Sequence, residues 1–337
     1  MARAWQGLDG GARLPGALPG ALIVAGPTCS GKSALALELA ERLGGAVINA
    51  DSMQVYRELH VLTARPSPAD EARAPHALYG VRPAAEPGSA AWWRGAALDA
   101  MAEAAAAGRL PILCGGTGMY LAALTEGIAD IPDPGADART EARALLADEG
   151  PAALHVRLAA ADPDTAATLR PSDGQRLARA WEVWRGTGQG LAAWRRAAPA
   201  LAPWVFRMIL LDPPRPALRA AIAARFDAMM EAGALEEVQA LLALGLDPAL
   251  PGMRAHGVPE LTAYLSGTIT LREAARLAEL ATSQYTKRQA TWFRGRSPVA
   301  PSLTHTIHAR FEGSTQFSER ECHGLMLFVK GVVDAAG

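Results

Sequence analysis

Ala21-Leu22-Ile23-Val24-Ala25-Gly26-Pro27-Thr28-Cys29-Ser30-Gly31-Lys32-Ser33 decides the fold. Its first five residues are apolar without polar alternation, as expected of a strand buried on both faces. Gly26 to Ser33 fit G-x-x-x-x-G-K-[ST] at every fixed position. Leu35, Leu37, Leu39, Ala40 and Leu43 then mark a helix closed by Gly44-Gly45. A glycine-rich loop between a strand and a helix turns consecutive amides into one concavity, and the helix N-terminus adds partial positive charge. Gly26, Pro27, Thr28, Cys29, Ser30, Gly31, Lys32 and Ser33 are therefore read as a diphosphate cradle. Lys32 reaches the terminal phosphate, and Ser33 is the candidate metal ligand, offering its hydroxyl to Mg2+.

Outward from this loop, Ala46–Ala50, Leu110–Cys114 and Phe206–Leu211 read as further apolar strands, with helices over Trp92–Ala107 and Pro214–Met230. Alternation of this kind predicts an α/β fold, a P-loop NTPase-like parallel sheet flanked by helices. After Pro132-Asp133-Pro134 the pattern becomes Ala- and Arg-rich and helical throughout. The organisation read from it is a P-loop core at 1–132 and 203–265, an all-helical insertion domain at 133–202, and a C-terminal helical region and tail at 266–337. The turn-rich stretch 298–313 is given no regular structure.

Bulk composition narrows the class. The chain has 337 residues and a net charge of −1, so it is not basic throughout, which leaves room for a local nucleic-acid-binding stripe. Thirty of its cationic side chains are arginine, and Lys32 is the first of three lysines. Cys29, Cys114 and Cys322 have no zinc-type spacing. No segment reads as a leader or membrane span, so a cytoplasmic protein is expected; a monomer is expected as well.

The P-loop alone leaves a nucleotide kinase, an ATPase or GTPase, and a transferase with a diphosphate donor all open. Asp51 follows the second strand at the edge where parallel sheets bind ligands. It reads as a general base or Mg2+-organising carboxylate, or else as a helix cap. Ile209-Leu210-Leu211-Asp212 reads as a Walker B strand or as an ordinary strand exit. Gly115-Gly116-Thr117-Gly118 reads as a close approach to substrate or as a plain turn. Two Arg-rich stretches, at 165–200 and 270–296, are interleaved with Trp181, Trp184 and Trp194, and with Tyr285, Trp292 and Phe293. They suit phosphate contact with base stacking, or solvated faces over core aromatics.

The motifs in order are the P-loop, Asp51-Ser52-Met53-Gln54-Val55-Tyr56, Thr63-Ala64-Arg65-Pro66, Pro75-His76, Gly115–Tyr120, Asp173–Arg179 and Thr286–Arg294. From about residue 21 to 296 the series resembles the tRNA dimethylallyltransferases, or tRNA isopentenyltransferases, of bacterial type. The resemblance implies Mg2+-dependent transfer of a dimethylallyl group from dimethylallyl diphosphate to N6 of the tRNA adenine just 3′ of the anticodon (adenosine-37), with release of diphosphate. It implies catalytic roles for Thr28, Lys32, Asp51 as general base and Arg225 as a diphosphate-binding arginine. It also implies contact with the tRNA anticodon stem-loop by Asp51, Ser52, Met53, Gln54, Thr117, Arg139, Gln175, Arg176, Leu177, Ala178, Arg179 and Arg254. The segment after Arg254 departs from the family, with Val258 and Pro259 where an aromatic and a basic residue are more usual.

Overall fold

A computed structural model describes residues 18–196, 200–313 and 316–335. The chain forms two compact units: Glu126–Leu201, and the remainder on either side of it.

The larger unit is built on six parallel strands: β1 (Gly20–Ala25), β2 (Gly45–Asn49), β3 (His76–Ala77), β4 (Leu110–Gly115), β5 (Val205–Leu211) and β6 (Thr304–Ile307). Their spatial order is β3-β2-β4-β1-β5-β6. In register, Val24 of β1 pairs with Cys114 of β4 on one side and Ile209 of β5 on the other. The sheet therefore sets the loops after β1, β2 and β4 along one edge, where ligands of open parallel sheets bind. Leu22, Ile23 and Val24 are fully buried, which is why this strand reads as an unbroken apolar run rather than an alternating one.

Helices α1 (Lys32–Leu43), α2 (Pro68–Arg73), α3 (Ala90–Ala106) and α4 (Gly118–Thr125) precede the helical unit, whose helices are α5 (Ala136–Ala161), α6 (Pro163–Ala166), α7 (Gly174–Thr187) and α8 (Leu191–Arg196). After β5 come α9 (Arg215–Glu231), α10 (Ala234–Ala243), α11 (Val258–Leu265), α12 (Leu271–Gly295) and α13 (Glu319–Ala335). One face of the sheet packs on α1 and α13, through Leu35, Leu39, Leu325, Val329 and Val332. The other carries Trp93, Met101, Phe226, Val238 and Phe293. Among the described residues, no helix is long and apolar enough to cross a membrane.

Two boundaries differ from the sequence reading. The helical unit begins at Glu126, ahead of the Pro132–Pro134 punctuation. Residues 266–337 are not a separate region, because β6 pairs with β5 and α13 seals the sheet beside β1. The physical reason lies in the spacing of Leu325, Val329 and Val332, which puts three apolar side chains on one helical face.

The helical unit holds its own core. Leu154, Leu158, Leu177, Ala180, Trp181 and Leu191 meet there. Gly150, at φ 79° and ψ 172°, breaks α5 into two arms ahead of Pro151, as expected where proline removes a helical donor.

Candidate active site

The β1–α1 loop is braced from several directions. Gly31 caps α1 in a left-handed conformation at φ 88°. A Cβ there would lie 2.1 Å from the Phe311 carbonyl oxygen, so no other residue fits. Because the first intrahelical bond runs from the Leu35 amide to the Gly31 carbonyl, the amides of Lys32, Ser33 and Ala34 lack intrahelical acceptors. The Ser30 hydroxyl is buried without a hydrogen-bond partner. Cys29 takes a positive φ of 66°, and its carbonyl accepts a 3.1 Å hydrogen bond from Arg310 Nε. The neighbouring Phe311 amide donates to the Ser30 carbonyl at 2.9 Å.

Gln289, on α12, ties two loops of the sheet edge together. Its Oε1 accepts from the Thr28 amide at 2.9 Å, and its Nε2 donates to the Gly116 carbonyl at 2.9 Å. Tyr285, one turn earlier, hydrogen-bonds Thr117 and Gln289, while burial holds its phenol well above the ordinary range. Thr117 Oγ1 in turn accepts from the Ser52 amide at 3.0 Å. A single helix thus fixes the loops after β1, β2 and β4.

The loop after β2 presents Asp51. Asn49 is fully buried; its Oδ1 accepts from the Asp51 amide at 2.8 Å, and its Nδ2 donates to the Asp51 and Leu78 carbonyls. Asp51 Oδ1 accepts from the Met53 amide at 2.9 Å, which settles the carboxylate in an Asx turn rather than at a helix cap. Farther along, Glu237 accepts three consecutive amides, from His60, Val61 and Leu62. That anchor presents the Thr63 carbonyl to Arg225 Nη2 at 3.3 Å and to Gln54 Nε2 at 2.9 Å.

These elements enclose two joined spaces. A polar one is lined by Thr28, Cys29, Lys32, Ser33, Asp51, Gln54, Arg225 and Arg310. An apolar one shares Thr28, Cys29, Asp51 and Arg225 and continues along Leu62, Ile222, Phe226, Met229 and Tyr285. An anion cradle therefore opens into a greasy slot, with one carboxylate at the junction. Beneath it, burial pushes the Cys114 thiol up to about 11, against the opposing Lys32 charge and the Ser33 hydroxyl. His256, also lining the slot, is held below its ordinary value by burial.

The IPP transferase family matches residues 54–296, and the Isopentenyl transferase family residues 19–76. The chain belongs to the IPP transferase family. Among its relatives, the tRNA dimethylallyltransferase of Granulibacter bethesdensis is 62% identical over 92% of this chain and 98% of its own length. That of Acidiphilium cryptum is 63% identical over 91% of this chain and 94% of its own. A tRNA isopentenylpyrophosphate transferase of Bacillus halodurans superposes with a TM-score of 0.65 at 31% identity, covering 94% of this chain and 97% of that one. A eukaryotic dimethylallyltransferase captured acting on tRNA gives 0.70 at 25% identity, over 82% and 70% of the two chains.

In this IPP transferase chain, eight of the predicted residues (Thr28, Cys29, Gly31, Lys32, Ser33, Asp51, Gln54 and Arg225) line one cavity. Met53 lines the apolar slot. Arg254 is exposed on a short 3-10 turn and lines neither space, whereas Ala255, His256 and Gly257 line the slot. On the helical unit, Gln175, Arg176 and Arg179 are exposed. Arg139 pairs with Asp133, Arg176 with Asp173 at 3.5 Å, and Arg179 with Glu182 at 2.5 Å. Leu177 needs correction as an RNA contact: its side chain is fully buried in the helical core, because α7 turns 177, 180 and 181 to the same inner face. Ala178 is half-buried.

The aromatic stripes resolve toward the core. Trp181 and Phe293 are buried, Trp184 and Trp194 pack on the helical core, and Gly118 is glycine because a Cβ would meet the Trp292 indole at 2.3 Å. Asp212 faces Arg294 at 3.5 Å and lines neither space. Sequence reasoning missed Gln289 and Tyr285 as site residues, although Gln289 stands inside the Thr286–Arg294 run. It had no signal at all for Glu237 or Arg310.

Proposed function

We propose that the chain transfers a dimethylallyl group from dimethylallyl diphosphate to N6 of the adenosine 3′-adjacent to the tRNA anticodon, releasing diphosphate. The observation that carries the reading is the junction of an anion cradle with an apolar slot at a single carboxylate, in a chain belonging to the IPP transferase family. A five-carbon apolar tail attached to a diphosphate needs both spaces side by side.

The diphosphate lies in the loop, against the first-turn amides of α1, Lys32 and Arg225. The tail runs between Ile222, Phe226 and Met229. The target base leaves its stack to reach the slot, since chemistry on a base requires its extrusion. Its N6 attacks the allylic carbon; the new C–N bond forms as the C–O bond to diphosphate breaks. Asp51 takes the N6 proton, and its Asx turn holds the carboxylate in place for that transfer. The electron pair of the broken bond stays on the diphosphate, whose charge the amides and cations stabilise. Orientation supplies much of the rate, because an aromatic amine is a poor nucleophile.

Mg2+ fits this site. Ser33 and Asp51 offer oxygen donors in one cavity, and among the described residues no cluster of three His, Cys, Asp or Glu competes to form an all-protein site. Mg2+ characteristically keeps waters and takes its remaining oxygens from phosphates. When bound it would neutralise charge on the leaving diphosphate. The exposed Arg176 and Arg179 supply backbone contacts to the RNA. The unit bearing them has nine arginines against eleven carboxylates, so such contacts come from one face rather than from net charge.

The test is one incubation of the purified protein with Mg2+, unmodified tRNA and labelled dimethylallyl diphosphate, with labelled ATP in parallel. The expected result is label from the prenyl donor on an anticodon-loop adenine. ATP hydrolysis or phosphorylation without prenyl transfer would overturn the reading and return the chain to the kinase and ATPase classes.

A further inference from the structure

The segment after β6 reaches back across the sheet edge and straps the phosphate loop. Arg310 Nε donates to the Cys29 carbonyl at 3.1 Å and the Phe311 amide to the Ser30 carbonyl at 2.9 Å. The Phe311 carbonyl oxygen lies where a side chain on Gly31 would have to sit. Beyond these backbone contacts, the Arg310 side chain lines the polar cavity with Lys32, Ser33 and Arg225. Three cations thus surround a space whose lining holds one carboxylate, Asp51. A guanidinium presents donors in a planar fork matched to phosphate oxygens, a geometry that the point charge of Lys32 does not supply. Two of the Arg310 nitrogens are occupied: Nε on Cys29, and Nη1 on Glu312 at 2.5 Å. Glu312 lies outside the cavity lining, with two-thirds of its side chain in solvent. An exposed ion pair of this kind is worth little and exchanges readily for a better anion. Residue 310 also lies outside both stretches matched by the families, 19–76 and 54–296.

We propose that Arg310 is a third cation for the diphosphate of the prenyl donor, held over the loop by the strap after β6, with Glu312 as the anion it gives up on binding. The proposal rests on the donor-site reading above. One guanidinium leaves its carboxylate and takes the phosphate oxygens, and no covalent bond changes.

The experiment uses the full chain, with inorganic diphosphate and Mg2+ as probe, measured by calorimetry at fixed salt. Arg310→Ala should weaken diphosphate binding about tenfold, the scale of one charge-assisted hydrogen bond. Arg310→Lys should recover part of it, and tRNA affinity should not change. Glu312→Gln separates binding from bracing. If Arg310 serves the diphosphate, removing its competing carboxylate leaves binding at least as tight as wild type. If the pair merely braces the strap, the same change weakens binding, and that result overturns the proposal. So does Arg310→Ala binding diphosphate within twofold of wild type while Lys32→Ala loses it; the donor-site reading then stands without Arg310. A wild-type chain that binds no diphosphate, or a Lys32→Ala variant that binds it normally, removes both readings together.

Discussion

Replacing Gln289 with leucine removes its hydrogen bonds to the Thr28 amide and the Gly116 carbonyl, along with that shared with Tyr285, at nearly constant volume, and the cost of the two backbone groups can be worked from the structure. The side chain is 4% exposed, so neither the Thr28 amide nor the Gly116 carbonyl has ready access to water once the amide is gone. Each buried group left unpaired costs about 1–3 kcal/mol, or about 2–6 kcal/mol for the two. At about 2.1 cal/mol/K of unfolding entropy per residue, about 1 kcal/mol moves the melting temperature of a chain this size by about 1.4 °C, so a fall of at least about 3 °C is expected. The catalytic consequence follows from position. Thr28 lines both spaces, and a loop displaced by about 1 Å can lose about a hundredfold in rate. The assay pairs thermal unfolding with prenyl transfer at saturating tRNA and varied donor. A Gln289→Leu variant melting within about 1 °C of wild type with an unchanged donor KM would refute the argument that α12 holds the phosphate loop.

Asp51→Ala should lower kcat by about 10²–10⁴, the usual contribution of a positioned base, while tRNA affinity stays near wild type; equal loss of both in a filter-binding assay would undo the base assignment. Removing the charges of Arg176 and Arg179 should flatten the dependence of log affinity for tRNA on log salt by about 0.7–0.9 per lost phosphate contact, and an unaltered slope would take them out of the interface. His256 sets an acid limit on stability. Burial, aided by the Arg288 charge and opposed by Glu260, lowers its pKa below 6.5, so the unfolded chain binds the proton more readily than the folded one. Its contribution is therefore complete above pH 6.5 and is lost as pH falls toward the folded value. Melting curves across that window should be steeper for wild type than for His256→Gln, with His305, also lowered by burial, supplying part of the remaining slope.

What was legible in the sequence follows from how deeply each element is buried. β1, β2, β4 and β5 have neighbours on both sides and helices on their faces, so they announce themselves as apolar runs. The edge strands do not. β3 is two residues long, and β6 reads Thr-His-Thr-Ile, because a strand paired on one side needs less apolar surface. The P-loop, Asp51 and Arg225 were legible because their residue types are dictated by local geometry or stand in recognisable runs. Glu237 and Arg310 were not, since each acts on backbone groups far along the chain, 175 to 177 residues away for Glu237 and 281 for Arg310. Nothing in a Glu-Glu pair on a helix, or an Arg in a turn-rich segment, specifies such a partner. The interleaved aromatics misled for a related reason: spacing that suits base stacking also suits a helix packing its own core.

The same contacts explain why a P-loop here need not signal hydrolysis. In P-loop hydrolases a carboxylate at the end of a neighbouring strand holds the metal beside the β- and γ-phosphates. Asp212 occupies that kind of position at the end of β5, but its carboxylate faces Arg294 of α12 and lines neither space. The carboxylate that does reach the cradle, Asp51, comes from the loop after β2. It lines both the polar cavity and the apolar slot. With the donor bound as proposed above, a carboxylate so placed addresses the carbon attached to the diphosphate. On the donor placement proposed above, the bond that breaks is then carbon–oxygen. On that reading the nucleophile arrives from the apolar side, lined by Ile222, Phe226 and Met229, as an extruded base rather than a phosphate-bound water.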